Sequence, residues 1–294
     1  MKLIVPADVP EKLHATFKTH YTTVTKNTDR ILLFAADQKM EHLNQDFSGS
    51  HLPEGIDTPD HLFHLARTNY FGAFAAHVGL IARYAGQFPG INYIAKLNGK
   101  TNAHSQEDPY SKQLWTVQDA LALEHAHICG VGYTIYLGST FERDMLTEAA
   151  QIVTEAHRHG LLAVLWIYPR GSTITNEADP GLTAGAAGVA ASLGADVVKI
   201  KLPDGAPQTL KAVVRAAGNT KVIVSGGSKQ EPRSFLEEVY GWVHTGGVAG
   251  AAVGRNIFQN KPAQAQALSA ALSALIYRNC SLQEAENLIR QRSE

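Results

Sequence analysis

The chain has 294 residues, 45% of them hydrophobic, and a formal net charge of −1. That length and apolar content suffice for a large buried core, and a near-neutral balance with no basic run argues against nucleic acid and anionic membrane as partners. The two cysteines, Cys129 and Cys280, stand in no metal or redox spacing, the start carries no signal-like segment, and no apolar run reaches the ~20 residues of a membrane span; a reducing cytoplasm is the expected compartment.

Residues 1–30 read as an N-terminal extension in which Pro10 to Tyr21 forms a helix with Leu13 and Phe17 on its apolar face. Ile31 to Ala36 is a continuous apolar run, the pattern of a buried parallel strand, and it ends in Asp37-Gln38-Lys39. Glu41 to Asp57 is a polar loop rich in Gly, Ser and Pro. Thr58-Pro59 then opens a helix to about Thr68, a capping residue followed by proline at the first helical position. Tyr70–Ala76 predicts a strand, Val78–Gln87 a helix, and Asn92–Leu97 a third strand with Lys96 and Asn98 at its end. Gly99 to Trp115 is a long polar loop of the functional or disordered kind. Thr116–Ala126 follows as a helix, Ile128–Tyr136 as the fourth strand, and Thr140–Gly160 as a long helix with Thr140 as N-cap and Gly160 as C-cap. Leu161–Tyr168 is the fifth strand, broken by Pro169-Arg170-Gly171. Asp179-Pro180 opens a helix to Leu193. Residues 194–201 form the sixth strand, Ala206–Ala217 a helix and Lys221–Val224 the seventh strand. A helix over Gln230–Thr245, the eighth strand Val248–Val253 and a C-terminal helical region complete the chain.

Eight strand-helix units without a domain-scale linker predict one α/β domain over residues 1–294, a single (β/α)8 TIM barrel. The barrel core spans 31–260, behind the N-terminal extension, with C-terminal helices over 261–294. A doubly wound open sheet would more often show a Gly-rich dinucleotide turn after the first strand; Ala36-Asp37-Gln38-Lys39 stands there instead.

Barrel chemistry sits at the C-terminal strand ends. Those ends carry Asp37, Lys96 and Asn98, Trp166 and Tyr168, and Lys199 and Lys201. Strand 7 ends in Ser225-Gly226-Gly227 and strand 8 in Gly254-Arg255-Asn256, where barrels commonly hold phosphate: glycine lets backbone N–H groups approach the anion, and Arg255 adds a charged fork. Val197, Lys199 and Lys201 share one face of strand 6 by its period of two, so alternation cannot choose between the lysines. Lys199 is one layer deeper, where desolvation and a neighbouring cation both lower its pKa, with Lys201 nearer the mouth as the tuning charge. A neutral lysine attacks ketones, and a phenol or carboxylate can then shuttle protons as the carbinolamine dehydrates and a carbon–carbon bond breaks. Taken singly, Asp37 could equally be a helix cap or a partner for Lys39, and Tyr168 a packed aromatic. The His125/His127 and His157/His159 pairs lie at the opposite rim with no third ligand and read as surface or helix-end histidines rather than a metal site.

In order along the chain stand Ala35-Ala36-Asp37-Gln38-Lys39 with Glu41-His42, Lys96-Leu97-Asn98, Thr134-Ile135-Tyr136-Leu137-Gly138-Ser139, Trp166-Ile167-Tyr168-Pro169-Arg170-Gly171, Gly194-Ala195-Asp196-Val197-Val198-Lys199, Ser225-Gly226-Gly227 and Gly254-Arg255-Asn256. With these, residues 30–260 resemble the archaeal-type class I fructose-1,6-bisphosphate aldolases, the DhnA-like group. The resemblance implies a barrel enzyme without metal or other cofactor. It reversibly cleaves fructose 1,6-bisphosphate to dihydroxyacetone phosphate and glyceraldehyde 3-phosphate, a step of glycolysis and gluconeogenesis. It implies Lys199 as the Schiff-base lysine, Tyr168 as the proton-transferring phenol and Asp37 as the assisting carboxylate. Trp166 matches the neighbouring aromatic, and Ser225, Gly226, Gly227, Gly254 and Arg255 match the site for the ketose 1-phosphate. Arg170 ranks ahead of Lys39 and Lys100 for the distal phosphate, because it directly follows the Tyr168 strand. The implied partners are a phosphorylated sugar and copies of the same chain, in a ring-type homo-oligomer such as a decamer. The chain departs from several relatives, which have Asp-His-Gly where it has Asp37-Gln38-Lys39. Rival readings keep the lysine with another phosphorylated ketose, as a lyase or transaldolase, or make the barrel a non-catalytic sugar-phosphate binder.

Overall fold

The computed structural model of the protein describes residues 3–50, 52–103 and 107–293. Eight parallel strands close into a barrel: β1 (Ile31–Ala35), β2 (Ala73–His77), β3 (Asn92–Lys96), β4 (His127–Leu137), β5 (Leu162–Pro169), β6 (Val197–Ile200), β7 (Lys221–Ser225) and β8 (Gly250–Val253). Each pairs with its sequence neighbours, and β8 closes on β1 with Ile31 opposite Gly250. The predicted TIM barrel is the observed fold.

Strand alternation sorts the core into two layers. Leu33, Ile94, Val164, Val197 and Ile223 pack together inside the barrel. Leu32, Phe34, Val198, Ile200 and Val222 face outward and pack in the layer that holds the helices. The helix α1 (His14–Thr25) of the N-terminal extension sends Phe17, Tyr21 and Val24 into the inner cluster, so it closes the N-terminal mouth of the barrel. Burying Phe17 alone stabilises this plug by about 2–3 kcal/mol. His157, fully buried at the end of the helix Glu142–Arg158, fastens the extension: its ring lies 2.8 Å from Asp8 and 3.2 Å from Asp196. It is therefore no surface histidine. The partners that hold it come from two segments distant in sequence, which spacing along the chain does not reveal. With the N-terminal mouth plugged, the C-terminal mouth is the open one.

Several boundaries moved from their expected places. β2 starts at Ala73 rather than Tyr70; Gly72 before it packs so tightly against α1 that a Cβ there would fall 1.8 Å from the Val24 carbonyl oxygen. Thr140 is not an N-cap; the helix begins at Glu142, and the Ser139 hydroxyl accepts from the Phe141 N–H instead. The helix at Thr116 is short, Val117–Leu121, behind a capping box that Thr116 forms with Asp119. The helix expected from Ala206 begins at Leu210. Within the loop of 99–115, Asn98–Gly99 and Lys112–Gln113 pair as a two-residue antiparallel ribbon; residues 104–106 of that loop lie outside the described residues. Residues Gln38–Glu41, with Gln38 and Lys39 expected as the polar end of the first strand and Glu41 as the start of the loop, form one helical turn.

Candidate active site

The C-terminal mouth opens into a cavity of about 530 Å³. Its lining includes Asp37 from the end of β1, Tyr168 and Arg170 from β5 and the residue after it, Lys199 and Lys201 from β6 and its end, and the Ser225–Ser228 and Gly254–Arg255 turns. Thus the residues assigned to catalysis and to the phosphates line one cavity except Trp166, which lies under it, while Lys39 and the strand-end residues Lys96, Asn98 and Asn256 do not line it.

Trp166 pairs in register with Lys199 on β6 and is fully buried. Its ring lies beneath two amines: Lys199 Nζ and Lys96 Nζ are each 5.5 Å from the indole centroid. The ring reaches across because the β4 position opposite Lys96 is Gly132, where a Cβ would stand 2.3 Å from the indole. Trp166 is therefore the floor that spaces the two lysines, rather than a wall of the cavity.

Lys199 is 5% exposed, and Asp37 7%. Burial, then the nearby positive charge of Lys96, pulls the Lys199 pKa below the usual lysine range, against the attraction of Asp37. For Asp37 burial works upward, but the charges of Lys199 and Lys96 outweigh it and hold the carboxyl below its ordinary value. Asp37 stands at the N-cap of the Gln38–Glu41 turn without making a side-chain cap bond, and its buried Oδ1 has no partner among the described residues. Burial and the carboxylates of Asp37 and Glu41 push the Tyr168 phenol well above its ordinary value, so it stays protonated. The site thus presents a low-pKa amine, an ionised carboxylate with a free oxygen, and a protonated phenol.

Lys201 is placed differently from the expected tuning charge. It is half-exposed, and its Nζ donates to Glu177 Oε2 at 2.9 Å. Arg170 donates to the same carboxylate through Nε at 2.7 Å and Nη2 at 2.8 Å. The hydrogen bond from Arg170 leads the effects that draw Glu177 down to about 2. The cation that shares the buried floor with Lys199 is Lys96. Lys39 turns away from the acid: its Nζ donates to the Asp57 carbonyl at 2.6 Å and sits 4.3 Å over the Phe47 ring. Lys100 does line the cavity, 5.8 Å over the Tyr136 ring.

The two glycine turns are tied together by Asn256. Its Nδ2 donates to the carbonyls of Gly226 at 2.7 Å and Ser228 at 3.0 Å, and its Oδ1 accepts from the Gln230 N–H at 2.8 Å. Gly227 adopts φ +66°, the left-handed region that favours glycine, with open space where a Cβ would stand. Gly254 has no room for one: it would fall 2.8 Å from the Ala35 carbonyl oxygen. Arg255 Nε is buried and has no hydrogen-bond partner among the described residues, and Nη1 lies 3.8 Å from Asp46 Oδ1. An unpaired guanidinium N–H beside a glycine turn suits a phosphate oxygen.

Sequence reasoning missed Glu41, Tyr136 and Glu177. Tyr136 donates to Glu41 Oε2 at 3.3 Å, and Lys96 Nζ donates to Oε1 at 3.4 Å. Tyr136 had a usable signal, since it stands on β4 directly opposite Tyr168. Glu177 had none, lying in the connection after β5. Among the described residues, no three His, Cys, Asp or Glu side chains gather as a metal ion would require, and no helix is long and apolar enough to cross a membrane.

Residues 31–260 match the DeoC/LacD family of aldolases. A fructose-bisphosphate aldolase/6-deoxy-5-ketofructose 1-phosphate synthase of Methanocaldococcus jannaschii is 43% identical over 286 residues, spanning 96% of this chain and 92% of that protein. The solved structure of a fructose-bisphosphate aldolase from Slackia heliotrinireducens superposes with a TM-score of 0.96 at 41% identity, over 99% of this chain and 94% of that one. An archaeal fructose-1,6-bisphosphate aldolase with its catalytic lysine covalently bound to the carbinolamine intermediate of the substrate superposes with a TM-score of 0.77 at 36% identity, over 89% of this chain and 99% of that one. By the family match over the whole barrel and by these identities, the chain belongs to the DeoC/LacD family of aldolases.

Proposed function

We propose that the protein is a class I, Schiff-base aldolase that reversibly cleaves fructose 1,6-bisphosphate to dihydroxyacetone phosphate and glyceraldehyde 3-phosphate. The observation that carries this reading is the buried Lys199 amine at the base of a cavity also lined by ionised Asp37 and the protonated Tyr168 phenol. Binding alone needs no such trio.

The Lys199 amine, held below the usual lysine range, attacks the ketose C2 carbonyl to form a carbinolamine. Loss of water, with a proton delivered to the leaving hydroxyl, gives the iminium. A base then takes the C4 hydroxyl proton, the C3–C4 bond breaks, its electron pair enters the iminium to form an enamine, and glyceraldehyde 3-phosphate departs. Protonation at C3 and hydrolysis return the free amine and dihydroxyacetone phosphate. Tyr168 is assigned the proton donor, and Asp37 the carboxylate that takes up and returns protons as water leaves and re-enters. The turns of Ser225, Gly226, Gly227 and Gly254, with Arg255, are assigned to the 1-phosphate. Arg170 and Lys201, pre-set by Glu177, are assigned to the distal phosphate. The iminium itself supplies the electron sink, so no metal is required.

The test is cleavage of fructose 1,6-bisphosphate in excess chelator. Triose phosphates formed at an undiminished rate support the reading, and activity that vanishes in chelator and returns with zinc overturns it. The M. jannaschii relative's name carries a second activity, 6-deoxy-5-ketofructose 1-phosphate synthase. That favours, as a second reading, another phosphorylated ketose reacting at the same amine. The same assay with 6-deoxy-5-ketofructose 1-phosphate separates the two by relative kcat/KM. We also propose, on the resemblance, that the protein forms a ring-type homo-oligomer, whose size sedimentation would measure, and acts in the cytoplasm.

A further inference from the structure

Lys96 has no role in the steps above, yet it is a lysine with no exposed surface. Burying such a side chain is expensive unless its charge is satisfied and used. Its Nζ donates to the Asn98 carbonyl at 3.1 Å and to Glu41 Oε1 at 3.4 Å. Both partners are acceptors, which suits an ammonium. Asn98 is itself fixed: Nδ2 donates to the carbonyls of Ser111 and Thr134, and Oδ1 accepts from the Thr134 N–H. The cation therefore has a rigid seat. From that seat it shares one indole with Lys199, each Nζ 5.5 Å from the Trp166 centroid, although their strands β3 and β6 are not neighbours.

We propose that Lys96 is a positioning residue: a fixed buried cation, seated against the same Trp166 ring, that holds the Lys199 amine in its nucleophilic form. This deepens the Schiff-base reading and rests on it. The other charged groups around Lys199 do not substitute for Lys96. Asp37 and Glu41, from the end of β1 and the turn after it, favour the ammonium. Arg255, at the end of β8, opposes it but is partly solvated and lies near Asp46. Lys201 is more exposed still and is bound to Glu177, so its field is diluted by solvent and cancelled locally. His77 on β2 is driven down to about 4 by burial and by Lys96, and is neutral at ordinary pH. Tyr168 and Tyr136 stay protonated, and His42 is held at 2.6 Å by Asp46. Lys96 is thus the opposing charge that is both fully buried and rigidly held.

The test is the pH dependence of borohydride trapping with fructose 1,6-bisphosphate, alongside kcat/KM for cleavage, in wild type and four variants. Lys96→Met and Lys96→Gln remove the charge at similar length, and both are expected to move the acid limb of trapping to higher pH by about one unit, with trapping recovered above it. Lys96→Arg, which keeps the charge, is expected to leave the limb within a few tenths of a unit of wild type. Glu41→Gln, at the cavity edge, removes an anion that favours the ammonium and is expected to move the limb the opposite way. Neutral Lys96 variants with the wild-type limb overturn the proposal. So does an equal loss of trapping at every pH without a shift, which would make Lys96 structural only. Should neither neutral variant fold, Lys96→Ala takes their place with the same expected rise of the limb, and a limb left at the wild-type pH overturns the proposal. Absence of trapping in the wild type at any pH is a different failure, that of the Schiff-base reading.

Discussion

Gly132 offers a way to disturb the floor of the site without touching a reacting group. It stands opposite Lys96 on the neighbouring strand, and the Trp166 ring occupies the volume its side chain would need. An added Cβ would meet Trp166 Cζ3 at 2.3 Å and Cη2 at 2.6 Å, whereas carbon atoms pack best at about 3.5–4.0 Å. The indole is fully buried and rigid, so the ring must shift by roughly 1 Å against its neighbours. Inserting a methyl into a packed core costs about 1–3 kcal/mol, and the rigidity of this contact places Gly132→Ala near the upper end. At roughly 2–4 °C per kcal/mol for a chain of this size class, Tm should fall by about 5 °C or more. Because both amines rest against the same ring, turnover should fall as well. Calorimetry and steady-state cleavage read the two effects. Adding Trp166→Phe to Gly132→Ala frees the contested volume and should raise Tm above that of the single variant. Coupling of about 1 kcal/mol or more is the expected cycle result. Gly132→Ala with wild-type Tm and turnover would refute the packing account of Trp166.

Tyr168→Phe should keep the fold and still form the imine, with turnover down by ~10²–10⁴-fold, the usual worth of a proton-transferring group; unchanged turnover would remove the phenol from the mechanism. Asn256→Ala cuts three hydrogen bonds that join the β7 and β8 turns. At about 1 kcal/mol each, KM for the bisphosphate should rise by on the order of 10²-fold with kcat less affected; an unchanged KM would separate these turns from phosphate binding. Arg255→Ala should weaken phosphorylated ketoses far more than unphosphorylated ones, and equal losses would place the phosphate elsewhere.

The barrel was legible because its strands are short apolar runs set off by capping and helix-breaking residues, such as Thr58-Pro59 and Asp179-Pro180, which do open helices at Pro59 and Pro180. What periodicity could not give were boundaries decided by distant chain. β2 starts only after Gly72, which lies close against Val24 of α1, and helix 142–158 starts after Phe141 with no side-chain cap, the Ser139 hydroxyl accepting from the Phe141 N–H. At the site, residues on strand ends were legible because a barrel puts those ends together, and Asp37, Tyr168 and Lys199 do line one cavity. Alternation also predicted the shared face of Val197 and Lys199. It could not say that Lys201 would be ion-paired, because Glu177 approaches from a connection whose path no local pattern encodes. Nor could it say that Lys96 and Lys199 would meet over one indole, since that depends on a missing side chain at Gly132, two strands from Lys199. Histidine spacing likewise concealed the buried link from His157 to Asp8 and Asp196.

The central claim is that Lys199 forms the covalent intermediate. Borohydride reduction in the presence of fructose 1,6-bisphosphate, followed by peptide mass mapping, tests it directly. The predicted result is a single reduced ketose phosphate adduct on Lys199 in the wild type, lost in Lys199→Ala and retained in Lys201→Ala. An adduct carried by Lys201 or Lys96, or no adduct under conditions where cleavage proceeds, would contradict the account.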